Sequence, residues 1–306
     1  MRYTKLLFVT ACALGLSASV AAAQTTDPVI KLIDAGKGEK KTLRFAVKKG
    51  DKQSMDMVMK MGMETQVGPN KMPKMDLPGI KMTMSMEVLD VAAETFDYQF
   101  KLTAAEPMKS SGPMADMMIE AMKKPLANLV GLGGKGKMTN RGINKGMDLQ
   151  LPSTLDAQTK QMLDGMQDAM SRMSAPVPAE PIGVGGKWSV EQTIAQNGIT
   201  VQQKTTYTVK KFEGQKVVLG VAVDMNAPKQ EMKAPGMPPN VKVMLDKMGG
   251  SGEGETTLVM TQVLPSTATA NINTDMKANM NMGGQQQPMN MKMSMKVDLN
   301  SGTPAP

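Results

Sequence analysis

The chain has 306 residues, with 36 Lys and Arg against 28 Asp and Glu, a formal net charge of +8 and no histidine. Its basic residues are scattered in mixed patches rather than gathered into a stripe for nucleic acid, and a chain without histidine lacks the commonest acid–base catalyst and copper ligand. The apolar composition is unusual, with 35 methionines against five Phe, three Tyr and one Trp.

Residues 1–23 hold Arg2 and Lys5, the apolar run "LLFVTACALGLSASV", then Ala21, Ala22 and Ala23. That order of charged, apolar and small residues is a secretory signal peptide, so export to the periplasm or the extracellular space is expected. The single cysteine, Cys12, lies inside this segment. "VTAC", from Val9 to Cys12, resembles the box before a lipid-modified cysteine, an alternative to cleavage after Ala23. No cysteine follows, so the exported part is expected to be held by packing without disulfides. No later stretch approaches the roughly 18 uninterrupted apolar residues of a membrane-spanning helix.

Residues 24–41 are polar and rich in Gly and Lys, which predicts a disordered lead-in. From Leu43 the sequence "LRFAVKKGDKQSMDMVMKMGM" alternates with period two and predicts two strands broken at Gly50-Asp51. Val67 to Gly79 carries three prolines and reads as a loop. "IKMTMSMEVLDV" and "TFDYQFKLT" alternate again. In "PMADMMIEAMKKPLANLV" the residues Met114, Met117, Met118, Met122 and Leu126 recur at helical steps, predicting a helix bent at Pro125. Short strands follow around Gly142. A second helix is predicted from Ser153, with the stripe Leu155, Met162, Leu163, Met166, Met170 and Met173.

"APVPAEPIGVGG", residues 175–186, reads as a Pro/Gly linker. Beyond it come strands with turns at Asn197-Gly198 and Glu213-Gly214, a short helix around "NVKVMLDKM", and closing strands to residue 300, with a disordered tail at 301–306. Residues 42–174 and 187–300 thus run in a similar order, a weak internal duplication of β-α-β halves. Two such halves pairing edge to edge give one large antiparallel sheet.

The methionines recur at every second position: Met55, Met57, Met59, Met61 and Met63; Met82, Met84 and Met86; Met289, Met291, Met293 and Met295. Thioethers at i and i+2 project from one strand face and are ligands for Cu(I) or Ag(I). The intervening residues, such as Asp56, Lys60, Thr83, Ser85, Lys292 and Ser294, are of solvent type, so the same pattern describes a half-buried strand. Packing is the favoured reading; a dedicated metal site and an oxidation sink are the alternatives. Packing alone leaves the choice of Met over Val or Ile unexplained, because the branched residues suit strands better. Flexible, polarizable methionine makes walls that adapt to irregular apolar ligands.

"KKGD" before the first Met strand, "GGKW" at Gly185 to Trp188 and the closing "MKMSM" resemble an uncharacterised family of secreted bacterial proteins with a domain of unknown function. The resemblance implies no catalytic residues. More remotely, the order of elements is similar to lipoprotein-carrier half-barrels, and this implies a curved antiparallel sheet covered by helices that shelters acyl chains.

Asp56, Glu87 and Asp97 fall on polar strand faces, Ser153 has no candidate base, and "GLGGKGK" lacks the ending of a phosphate loop. Trp188 is expected in the core. The expectation is an α+β, non-enzymatic exported protein without cofactor. Its large curved antiparallel sheet is covered by two main helices, and it binds a hydrophobic, lipid-like molecule or, alternatively, sequesters Cu(I) or Ag(I).

Overall fold

The computed structural model describes residues 27–110, 115–150, 174–196, 199–232, 241–282 and 285–302. The strands are β1 (Val29–Asp34), β2 (Lys37–Lys41), β3 (Lys52–Val67), β4 (Asn70–Lys71), β5 (Met75–Val91), β6 (Thr95–Pro107), β7 (Gly133–Thr139), β8 (Asn144–Gln150), β9 (Ile182–Val184), β10 (Lys187–Gln196), β11 (Ile199–Glu213), β12 (Lys216–Ala227), β13 (Gln230–Met232), β14 (Val241–Val259), β15 (Thr267–Met282) and β16 (Gln285–Gly302), with one helix, α1 (Ala115–Leu129). Fourteen strands form a single sheet in the order β1-β10-β11-β12-β14-β15-β16-β3-β5-β6-β7-β8, with β13 beside β14 and β4 beside β3. β2 pairs with β9 separately.

The expected α+β class with two main helices is corrected by this sheet: the protein is mostly β, and α1 is the one helix among the described residues. The second expected helix, from Ser153, lies outside them. In α1 the buried residues are Ala115, Leu126 and Leu129, whereas Met117 of the predicted stripe faces solvent. Of the short helix expected around "NVKVMLDKM", residues 241–248 are instead the start of β14. A register shift between Leu245 and Lys247 breaks the period of two, so Leu245 and Met248, both buried, stand three apart and mimic helical spacing.

Two stretches expected to be loose carry structure. The lead-in contains β1, whose Ile30 and Leu32 lie opposite Val190 and Trp188, because a short alternation is hidden in polar surroundings. In the supposed linker Ala175, Val177 and Ile182 are buried, and Pro176 accepts a hydrogen bond from Trp188 Nε1 at 2.8 Å. Residues 43–47 keep their alternate burial, with Leu43, Phe45 and Val47 inside, but join no ladder. Their amides instead bridge distant parts, Phe45 N to Asn140 O and Ala46 N to Met260 O.

The sheet is rolled. Twelve strands at about 4.8 Å spacing would span roughly 50 Å if flat, yet Lys145 on edge strand β8 reaches Asp27, just ahead of the opposite edge strand β1, at 2.8 Å. Val177 N also donates to Arg141 O, which places the segment holding Trp188 against the β7–β8 turn. Residues from both edges, Ile30 and Leu32 on one side and Met138 and Leu149 on the other, belong to one apolar cluster. Among the described residues no ladder joins β1 to β8, so the sheet is not closed into a barrel there.

Candidate functional site

Residues directly opposite on paired strands share a face, so the registers define what lines the inside of the roll. Met57 lies between Met82 of β5 and Leu299 of β16, and Met59 between Ile80 and Val297. Met61 faces Met295, which faces Ile272 of β15; Met63 faces Met293, which faces Thr274. Beyond them Met291 faces Met276, and Met276 faces Met248 of β14. The alternate residues Asp56, Lys60, Lys292 and Lys296 point outward, where Lys292 pairs with Asp275 at 3.9 Å.

Two apolar clusters close the ends of this inner face. The larger one plugs the end where the sheet edges meet, around Met55, Trp188, Tyr98, Leu219 and Leu258. Trp188 stacks on Tyr207 with ring centroids 5.2 Å apart. Gln53, buried there, donates to Leu264 O and Ser301 Oγ and accepts from the amides of Val263 and Leu264. The smaller cluster, around Ile194, Val201, Leu245 and Met248, occupies the far end on the β10–β15 side.

Between the clusters the inner face is half open. Of the twelve methionines expected to form the ladder, Met55, Met84 and Met86 are buried at the plug. Met57, Met59, Met63, Met82, Met289, Met291, Met293 and Met295 are half-buried, and Met61 is 37% exposed. From Met57 to Thr65 this open strip runs roughly 27 Å at the usual rise per residue. Across β3, β16, β15 and β12 its inward positions are Met, Val, Ile, Leu, Ala, Thr, Ser and Gln, with no charged residue. On β14 the inward Gly250, Gly252 and Gly254 remove side chains altogether. A Cβ on Gly254 would stand 2.0 Å from Thr269 O, so the backbones approach there as only glycine permits.

The expected loop from Val67 to Gly79 hides two lining residues. A bulge at Pro78-Gly79 shifts the β5 register between Met59 and Met61, so that Leu77 and Met75 join the inner face although Ile80 and Met82, which follow them, do so at even positions. Met225 and Gln203 on β12 and β11, opposite one another, also line it; their single occurrences gave no repeating signal.

The shifted ionisable groups lie elsewhere. Burial pushes the Tyr98 phenol up to about 12, against a hydrogen bond from Asn144 that lowers it. Burial alone raises Tyr207 further. Both sit in the plug. A separate hollow of about 700 Å³ has a mixed lining that includes Lys60, Asp76, Lys109 and Lys296 beside Met61, Leu77, Met108 and Met295. No three His, Cys, Asp or Glu converge among the described residues, and no helix there is long and apolar enough to cross a membrane.

The sequence model of DUF6263, a family of unknown function, matches residues 75–258. No curated protein matches the chain. A solved structure described as "TodX monoaromatic hydrocarbon channel deltaS2 mutant" is similar at 8% identity over 85% of this chain and 91% of that chain, with a TM-score of 0.20.

Proposed function

The chain belongs to the DUF6263 family, which brings no known activity with it, and we propose from the site itself that the open roll binds an elongated apolar molecule such as an acyl chain. The observation that carries this reading is the uncharged strip between the two clusters, where eight methionines stay half-buried instead of packing fully. Exposed apolar surface on this scale is costly in water and marks binding grooves. Methionine side chains, unbranched and polarizable, reshape around a guest of irregular contour. The described residues that line the strip carry no charge, so the guest's polar end stays outside it.

Release and uptake of such a guest suit a carrier of the cell envelope. The Arg2, Lys5 and apolar pattern at the start of the sequence supports export. Native mass spectrometry of the protein purified from its own host without delipidation tests the reading: a bound fatty acyl species is expected, whereas uniformly empty protein with no thermal shift on adding fatty acid overturns it.

A further inference from the structure

The bulge at Pro78-Gly79 creates a second feature on the same wall. By bringing Met75 onto the inner face it sets three methionines on one rung across three adjacent strands: Met75 on β5 opposite Met63 on β3, and Met63 opposite Met293 on β16. Elsewhere in the ladder the rungs through β5, β3 and β16 are interrupted by a hydrocarbon or hydroxyl residue: Leu77–Met61–Met295, Ile80–Met59–Val297, Met82–Met57–Leu299 and Met84–Met55–Ser301.

We propose that Met63, Met75 and Met293 form a three-thioether site for one soft monovalent cation, Cu(I) or Ag(I). Opposed Cβ atoms on paired strands stand about 4.5–5.5 Å apart, and each thioether sulfur lies two bonds further out on a flexible stem. The two outer stems therefore lean over the central one, where three sulfurs converge on a single ion. The rung is accessible: Met75 is 38% exposed and its two partners are half-buried. Its neighbours on the inner face are Leu77, Met61, Met295, Thr274 and Thr65, which supply no carboxylate. Hard cations such as Mg2+ and Ca2+ seek oxygen and gain little there, whereas soft d10 ions accept neutral sulfur. Met61 and Met295 on the next rung provide spare thioethers along which an ion can shift. The buried methionines at the plug, Met55, Met84 and Met86, are excluded from the site by burial.

Ag(I), which is redox-silent, is the probe: it is titrated into the full exported protein against free methionine as competitor, with stoichiometry read by native mass spectrometry. One equivalent is expected. Met63→Leu keeps the apolar volume and removes the central sulfur, so affinity falls by at least the roughly tenfold typical of losing even an outer metal partner. Met75→Leu, at the most exposed of the three positions, does the same without risk to the fold, while Met84→Leu in the plug changes nothing. Unchanged affinity in both Met63→Leu and Met75→Leu, or uptake of several equivalents indifferent to these variants, overturns the site. The unaltered protein still binds a fatty-acid probe if the apolar reading holds, whether or not it takes up Ag(I), so the two proposals fail separately.

Discussion

Lys145 Nζ donates to Asp27 Oδ2 at 2.8 Å, joining the last strand in the sheet order to the residues just before the first. Both side chains are largely exposed, at 42% and 73%, so the pair reports the roll more than it holds it. Lys145→Ala is expected to cost less than about 1 kcal/mol. A carbodiimide, which condenses only an amine and a carboxylate already in contact, is expected to join Lys145 to Asp27 within one molecule. Peptide mapping that finds Lys145 linked only to other residues contradicts the meeting of the two edges.

The glycine run of β14 carries the next expectation. A methyl group at Gly254 meets Thr269 O at 2.0 Å, whereas nothing lies within 4 Å of the Cβ position at Gly249. Gly254→Ala is expected to destabilise by roughly 1–3 kcal/mol, the usual range for overpacking, and Gly249→Ala to leave the urea midpoint almost unmoved. Equal midpoints for the two variants count against the close approach of β14 and β15.

Gln53 ties β3 to residues 263–264 and to Ser301 through four hydrogen bonds made by one buried amide. Gln53→Leu leaves the amides of Val263 and Leu264 without that acceptor, at about 1–3 kcal/mol for each orphaned group. Hydrogen exchange at those two amides is expected to accelerate in the variant; unchanged protection there removes Gln53 from the plug.

How much of this was legible follows from which forces act locally. The alternation in β3, β15 and β16 reads directly from the sequence because one face of each strand is apolar along most of its length. The start of β14 does not, since the shift after Leu245 replaces a step of two with a step of three. β1 is marked only by Ile30 and Leu32, whose burial depends on β10, more than 150 residues away. The seam between β16 and β3, which makes one sheet from two runs of strands, is a long-range choice written in no local pattern; only the likeness of their methionine spacing hints at it. Met75 stands among prolines, and a bulge, not its own spacing, turns it inward.

The buried phenols give the pH dependence. An unfolded tyrosine loses its proton near 10.0, while Tyr98 in the plug holds its own to about 12, and Tyr207 is shifted in the same direction. The folded state therefore binds more protons than the unfolded one in this interval. The stability from both groups is fully present below pH 10 and is lost progressively as pH rises through 10 toward 12. Phenolate absorbance is expected to stay low in folded protein at pH 10.5 and to jump on unfolding; immediate ionisation of Tyr98 near its ordinary value contradicts its burial.

The decisive measurement is the affinity for an environment-sensitive fluorescent fatty acid in three forms of the protein: unaltered, with Met59→Lys in the open strip, and with Asn290→Lys on the outward side of β16. A charge at Met59 must be desolvated by any apolar guest, so binding is expected to weaken at least tenfold in that form alone, a loss of about 1.4 kcal/mol. Equal affinity in all three forms, or none in the unaltered protein, contradicts the binding roll.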